Sequence, residues 1–428
     1  MSTKDTPERP AGAPLKPPPP PLALYLVPRL TPAWSLLACK RAQERAFHRH
    51  RDGPSLMSVS DSPRPRLPRS GGPTVHGKRA PPKPSPVFAH IFWPFAAERQ
   101  AIFFRRMEQR ASPWTDDPIL RTYRFTNAYR ASDRVSQYLI RQIIYRDDLP
   151  STPKELFFRI LLFKLFNKIE TWEHLETQVG PLTAASFDPD LYAKALDQRR
   201  ASGASLYSAA YIMPSTGALG CAVKHRGHLQ LIRLLLQDAH VETMAQSTSL
   251  NDLFTCLRSL PTLGDFLAFQ FAIDLNYSDC FRFSEMDFVV AGPGAKDGLA
   301  KCFDSFGDLS EPDVIRWVAE TQSTYRSQLS EDFRDLFGRP LQLIDIQNLF
   351  CEISKYTRVS HPHVSGLNGR TQIKQKYRAR SEALRLFYPP HWGMNDRIPS
   401  NVRAAPCTPP QRITGNPHGL RYLSAACG

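Results

Sequence analysis

A chain of 428 residues, 42% of them hydrophobic, is long enough to bury a sizeable core, which excludes a wholly disordered protein. The 55 Lys and Arg against 40 Asp and Glu leave a formal net charge of +15, which favours an anionic partner, nucleic acid being the commonest. No segment is apolar over the roughly 20 residues that a membrane helix needs, and the stretch from Leu22 to Leu30 is interrupted by Pro28 and also fits a secretory signal poorly.

In chain order, residues 1–86 hold about half of the 39 prolines, with a run from Pro17 to Pro21 and scattered arginines. Such a segment has too little apolar surface to offset the entropy of ordering, so a disordered tail with local polyproline II character is expected. Its Arg64, Arg66, Arg69, Lys78 and Arg79 are too dispersed to define a nuclear-targeting signal. The expected folded domain spans 87–388, and a second disordered tail is expected over 389–428, with Pro406, Pro409, Pro410 and Pro417. Helical patterning dominates between the tails. It predicts helices over 94–110, 188–199, 226–238, 250–259, 264–275, 312–328 and 341–358. Another should open at the Thr152-Pro153-Lys154-Glu155 capping box and end near Asn167 to Trp172. Only 287–291 (DFVVA) looks strand-like, so the fold class is mainly α.

The stretch 113–134 (PWTDDPILRTYRFTNAYRASDR) is the most distinctive. Asp117 before Pro118 predicts an N-cap with proline at the first helical position. In a continuing helix, Asn127, Arg130, Arg134, Gln137 and Arg141 share one face, while Ala128, Ala131, Val135, Tyr138, Leu139 and Ile143 share the other. Such a face is either ordinary solvated charge or a surface for phosphates. Trp114, Tyr123, Phe125 and Tyr129 beside the arginines add rings suited to base stacking.

Further on, Leu260-Pro-Thr-Leu-Gly264 turns sharply between two helices. Gly264 would let backbone amides approach a phosphate, although an ordinary helix corner looks the same. Residues 287–301 carry glycines 292, 294 and 298 but not the GxxxxGK[ST] order of a phosphate-binding loop, which is absent throughout. A compact turn of these glycines before a helix, holding Lys296 or Lys301 near an anion, is expected there. In 345–358, Glu352 precedes Lys355 by three residues, a spacing that fits a helical salt bridge; Tyr356 and Arg358 are alternatively groove residues. Eight cysteines occur singly, which suits free thiols in a reducing compartment. His225 with His228, and His361 with His363, lack partners at metal-binding spacing, so no metal is expected and no cofactor is assignable.

The 113–134 block continued to YLI (138–140), together with FNKIETWE (166–173), AGPGAKDGL (291–299) and CEISKYTR (351–358), resembles the helical domain of 5-hydroxymethyluracil DNA kinases. That domain has also been grouped with α-glutamyl/putrescinyl-thymine pyrophosphorylase-like proteins. The resemblance spans about 88–380 and implies a role in hypermodifying thymine-derived bases of DNA. It further implies a single helical domain distantly similar to helix-hairpin-helix DNA glycosylases. By that similarity the Leu260–Gly264 turn would grip the DNA backbone, and the carboxylate about twenty residues on would be Asp287 or Glu285, with Asp287 the better match. Glu352 is the alternative catalytic carboxylate. The expected DNA-binding set is Trp114, Asn127, Tyr129, Arg130, Arg134, Arg141, Gly264, Lys296, Lys355 and Arg358. The missing nucleotide loop points to a module that presents the base to a separate kinase or modifying enzyme. Direct glycosylase-like or transferase action, and an inactive interaction protein, are the alternatives. The location expected is the nucleus in a eukaryote and the cytoplasm otherwise.

Overall fold

The computed structural model describes residues 79–327, 333–379 and 382–405. Of the two expected tails, residues 1–78 and 406–428 lie outside the described residues. Among them are thirteen α-helices and one antiparallel pair of short strands, β1 (Lys83–Pro84) and β2 (Phe303–Ser305). A π-helical turn, Phe88–Phe92, leads into α1 (Trp93–Met107), and α2 (Pro118–Thr122) and α3 (Arg134–Tyr138) are short. α3 runs on as a π-helical turn over Leu139–Ile144. Then come α4 (Pro153–Phe166), α5 (Ile169–Val179), α6 (Pro189–Ala201), α7 (Lys224–Leu235) and α8 (Asp238–Ala245). The remainder are α9 (Leu250–Arg258), α10 (Asp265–Asn276), α11 (Pro293–Cys302), α12 (Glu311–Ser327) and α13 (Leu343–Ser360).

The mainly α, single-domain organisation follows from where the apolar residues fall. In α4 and α10 they occupy nearly every turn position, so both helices are buried all round and form the centre of the core. α5, α7, α8 and the turn before α4 pack around α4, while α9 folds back on α10. α13 is the second centre, with α11, α12 and α2 against it. Gly294 and Gly298, four residues apart, face α13: a Cβ at 298 would overlap the Phe350 carbonyl and one at 294 the Cys351 sulfur. Gly292 precedes the helix as its N-cap, but Gly294 and Gly298, expected in the turn, lie inside the helix, where small residues permit a close crossing.

Three expectations need correction. The capping box at Thr152 does not form, because Glu155 is buried and accepts hydrogen bonds from the amides of Ala184 and Ala185 (2.7 and 3.2 Å). The strand-like DFVVA segment is irregular chain. The long helix over 118–143 is broken. Asp117 does cap α2 through the amides of Ile119 and Leu120, but the backbone becomes extended at Tyr123, where it pairs with Lys376. The amides of Asn127 and Arg130 are taken by the carboxylates of Asp133 and Asp345 (2.8 Å each). Tertiary acceptors have replaced the helical ladder. The packed chain also continues past the expected boundary at 388: Met394, Ile398 and Val402 are buried in the core, as is Ser85 at the other end.

Gly298→Ala should therefore force α11 and α13 apart and cost about 1–3 kcal/mol. Guanidinium unfolding of the purified variant would register this as a lower midpoint at unchanged slope.

Candidate functional site

A buried ion cluster lies where α4, α10 and the 3-10 turn Arg130–Ser132 meet. The Arg130 guanidinium and the Lys164 ammonium each lie 2.7 Å from a different oxygen of Asp274, and all three side chains are buried. Arg130 also donates to the hydroxyl of Tyr277 (2.8 Å) and to Oε1 of Gln270 (3.2 Å). Burial disfavours the charge on Arg130, but Asp274 together with Tyr277 and Tyr211 outweighs it and holds the guanidinium well above its ordinary pKa. Burial likewise pushes Asp274 up, but the two cations outweigh it and keep the carboxyl below its usual range. Beside this cluster, Asp345 accepts the amides of Arg130 and Gln342 (2.8 and 3.0 Å). Burial, then the charge of nearby Glu285, pushes Asp345 up to about 7. Glu285 itself is buried, pairs with Arg339 at 2.9 Å, and leaves Oε1 without a hydrogen bond among the described residues.

Two rings and two amides lie over the cluster. Lys164 sits 4.5 Å from the centre of the Tyr211 ring, and the Tyr211 hydroxyl donates to Oε1 of Gln270 (3.3 Å). The ring of Phe266 is 5.9 Å from that of Tyr211, and Phe266 shares a face of α10 with Gln270, four residues on. Phe266 rests against Gly292, where a Cβ would overlap its ring and come 3.3 Å from the amide nitrogen of Gln347. Gln270 and Gln347 are 1% and 2% exposed, yet Nε2 of Gln270 and Oε1 of Gln347 have no hydrogen-bond partner among the described residues. Next to half-buried Tyr211, the side chain of Ile212 is 88% exposed.

A basic ribbon borders this cluster. Arg124 donates its amide to the Gln375 carbonyl (3.0 Å) and Tyr377 donates to that of Thr122 (2.9 Å), pairing 122–124 with 375–377. Arg121, Arg124, Lys374, Lys376 and Arg378 are all exposed on it. The side chain of Gln375 reaches the Ala209 carbonyl (3.5 Å), which sets the ribbon against the segment bearing Tyr211 and Ile212. Gly264, the N-cap of α10, is also exposed, with open space where a Cβ would project, and it lies two residues before Phe266.

The expected site residues are only partly brought together. Arg130, expected on a phosphate-facing surface, is buried and internally paired, although by the very helix that Gly264 opens. Tyr129 is likewise buried, its hydroxyl on the Arg339 carbonyl, and has no face to offer a base. Asn127 is spent on the backbone of Ser132 and on Arg99. Arg134 lies 3.6 Å from Glu170, and Arg141 reaches the Arg385 carbonyl at 3.5 Å. Lys296 pairs with Glu311 on the surface. Glu352 and Lys355 form the helical salt bridge (2.7 Å), and Glu352 also accepts the Thr126 amide, bracing the extended segment instead of facing a substrate. Arg358 donates to Ser354 and to the Gln372 carbonyl. Asp287 is exposed, so of the two carboxylates in the expected window Glu285 is the buried one.

Trp114 lines a separate cavity of about 580 Å³ with His90, Phe95, Asp117 and Tyr356. The ribbon cations and the two glutamines escaped the residue-by-residue argument. For the ribbon a signal existed, since five of the eleven residues 370–380 are Lys or Arg. Among the described residues, no three His, Cys, Asp or Glu side chains gather as a metal site, and no helix is long and apolar enough to cross a membrane.

Comparison with known proteins places residues 85–366 in a match to the family model described as "5-hmdU DNA kinase, helical domain". A curated protein of Bacillus phage SP10, "5-hmdU DNA kinase", is 27% identical over 280 residues, covering 60% of this chain and 43% of its own length. The chain thus spans less than half of that relative. No solved structure matches.

The Asp345 carboxyl holds its proton more tightly folded (about 7) than unfolded (about 3.9). Its contribution to stability is therefore fully present below about pH 4 and is lost as pH rises through about 7. Asp133, pushed up to about 6 by burial, acts in the same direction. Glu285→Gln removes the charge beside Asp345, so the decline of urea-unfolding free energy between about pH 4 and pH 7 should be smaller than in the unmodified protein.

Proposed function

Since the chain belongs to the 5-hmdU DNA kinase helical-domain family, we propose that it is a DNA-binding module that recognises 5-hydroxymethyluracil, or a derivative of it, in a pathway of DNA base hypermodification. The observation that carries this reading is the exposed ribbon of Arg121, Arg124, Lys374, Lys376 and Arg378 beside the Tyr211–Phe266 ring pair. Exposed cations on two paired segments follow a phosphate backbone, whereas the arginines expected for that task at 130, 134 and 141 are engaged within the protein. The open amide end of α10 at Gly264 supplies a further backbone contact.

A base inside a duplex hides its pairing edge, so a protein that reads it must turn the nucleotide out. Ile212 has the position and exposure of a wedge that fills the vacated stack. The module then presents the base to a separate phosphorylating or transferring enzyme. This division of labour agrees with the absence of a GxxxxGK[ST] sequence in the chain. The direct-chemistry alternative has less to stand on, because Asp287 is exposed and Glu352 is paired.

Binding to a duplex containing 5-hydroxymethyluracil should weaken steeply with salt. Replacing Arg124, Lys374 and Arg378 together by Gln should reduce the slope of log K against log salt by about 2–3, whatever the sequence. Fluorescence anisotropy over a salt series measures this, and an unchanged slope would rule the ribbon out as the phosphate contact.

A further inference from the structure

Resting on the DNA-binding reading, we infer that Gln270 and Gln347 are the residues that read the turned-out base, taking the imide edge of a pyrimidine between them. Both amides are almost wholly buried and each leaves one polar atom unmatched among the described residues. A buried amide group without a hydrogen bond costs about 1–3 kcal/mol, so two such atoms in the neighbourhood of one aromatic ring call for a ligand. Phe266 is that ring: Gln270 follows it on the same face of α10, and Gln347 meets it at Gly292.

The orientation of Gln270 is set by its neighbours. Arg130 Nε and the Tyr211 hydroxyl both donate, so Oε1 faces them and Nε2 is left as the open donor. Gln347 offers the open acceptor, Oε1. A uracil ring carries a complementary pair on adjacent atoms, a carbonyl oxygen that accepts and an N3–H that donates. The two amides are uncharged, as suits a neutral heterocycle, while the cations that meet phosphate lie outside on the ribbon. Tyr211 and Phe266 are half-buried and supply the apolar faces against which a flat ring stacks. Gly292 takes part by its missing side chain, because any Cβ there would strike Phe266 and crowd the Gln347 amide. These residues would determine specificity; the ribbon would determine affinity.

The test uses the full chain and four duplexes that differ at one position, carrying 5-hydroxymethyluracil, thymine, cytosine or an abasic site, at one salt concentration. The unmodified protein should bind the 5-hydroxymethyluracil duplex about tenfold or more tighter than the abasic one. Gln270→Glu keeps an oxygen for Arg130 and Tyr211 but turns the open donor into an acceptor. Gln347→Met keeps length and removes both polar atoms. Each variant should bring 5-hydroxymethyluracil down to the abasic affinity, and the abasic affinity itself, which reports the fold and the ribbon, should not move. Retention of the preference by both variants would overturn the assignment, as would a parallel loss on all four duplexes. If the unmodified protein binds every duplex equally, the assignment fails while the DNA-binding reading stands; if it binds none, both fall.

Discussion

The carboxylate of Asp274 facing two buried cations is the interaction on which the rest of the structure depends. Arg130 comes from the interrupted segment after α2, Lys164 from the last turn of α4, and Asp274 from α10, so one ion cluster ties three otherwise separate parts of the chain. Taking these charges out of water is costly, and their attraction offsets that only when the remaining donors are also satisfied. Tyr277 and Gln270 complete the set around the guanidinium. Anchoring Arg130 in this way also explains why the backbone there cannot remain helical: its amide is held by Asp345 on α13 while its side chain reaches α10.

From that anchor the outer features follow. Holding Gln270 by its oxygen leaves its nitrogen without a hydrogen-bond partner among the described residues. Interrupting the helix at Tyr123 frees 122–124 to pair with 375–377, and this pairing gathers the exposed cations into one ribbon. The tight crossing of α11 over α13 places Gly292 against Phe266, so the same glycine-bearing stretch serves both the core and the ring-and-amide cluster. A second buried ion pair, Asp297 with Lys301, caps that crossing: Asp297 accepts the Asn368 amide and so fastens the loop that leads to the ribbon.

The helices were largely legible because apolar periodicity, prolines at first turns and capping side chains act locally. The cap at Asp117 formed as its spacing suggests. The site was less legible. A face of Asn127, Arg130, Arg134 and Arg141 is a sound inference from a period of 3.6, but it presumes that the helix continues. The acceptors that ended it, Asp133 and Asp345, act through side chains whose partners no periodicity reveals, and Asp345 is distant in sequence.

The amino-acid sequence by itself determined the mainly α class, the positions of most long helices, the excess of positive charge and the family resemblance. Each of these depends on composition or on neighbours within a turn or two. Only the tertiary structure decided that Arg130 is a buried core anchor, that Glu285 and not Asp287 is buried, and that Gln270 and Gln347 are both buried. The physical reason is that burial and hydrogen-bond partnership are properties of pairs far apart in the chain: Arg130 and Asp274 are separated by 144 positions (274 − 130) yet share one ion pair.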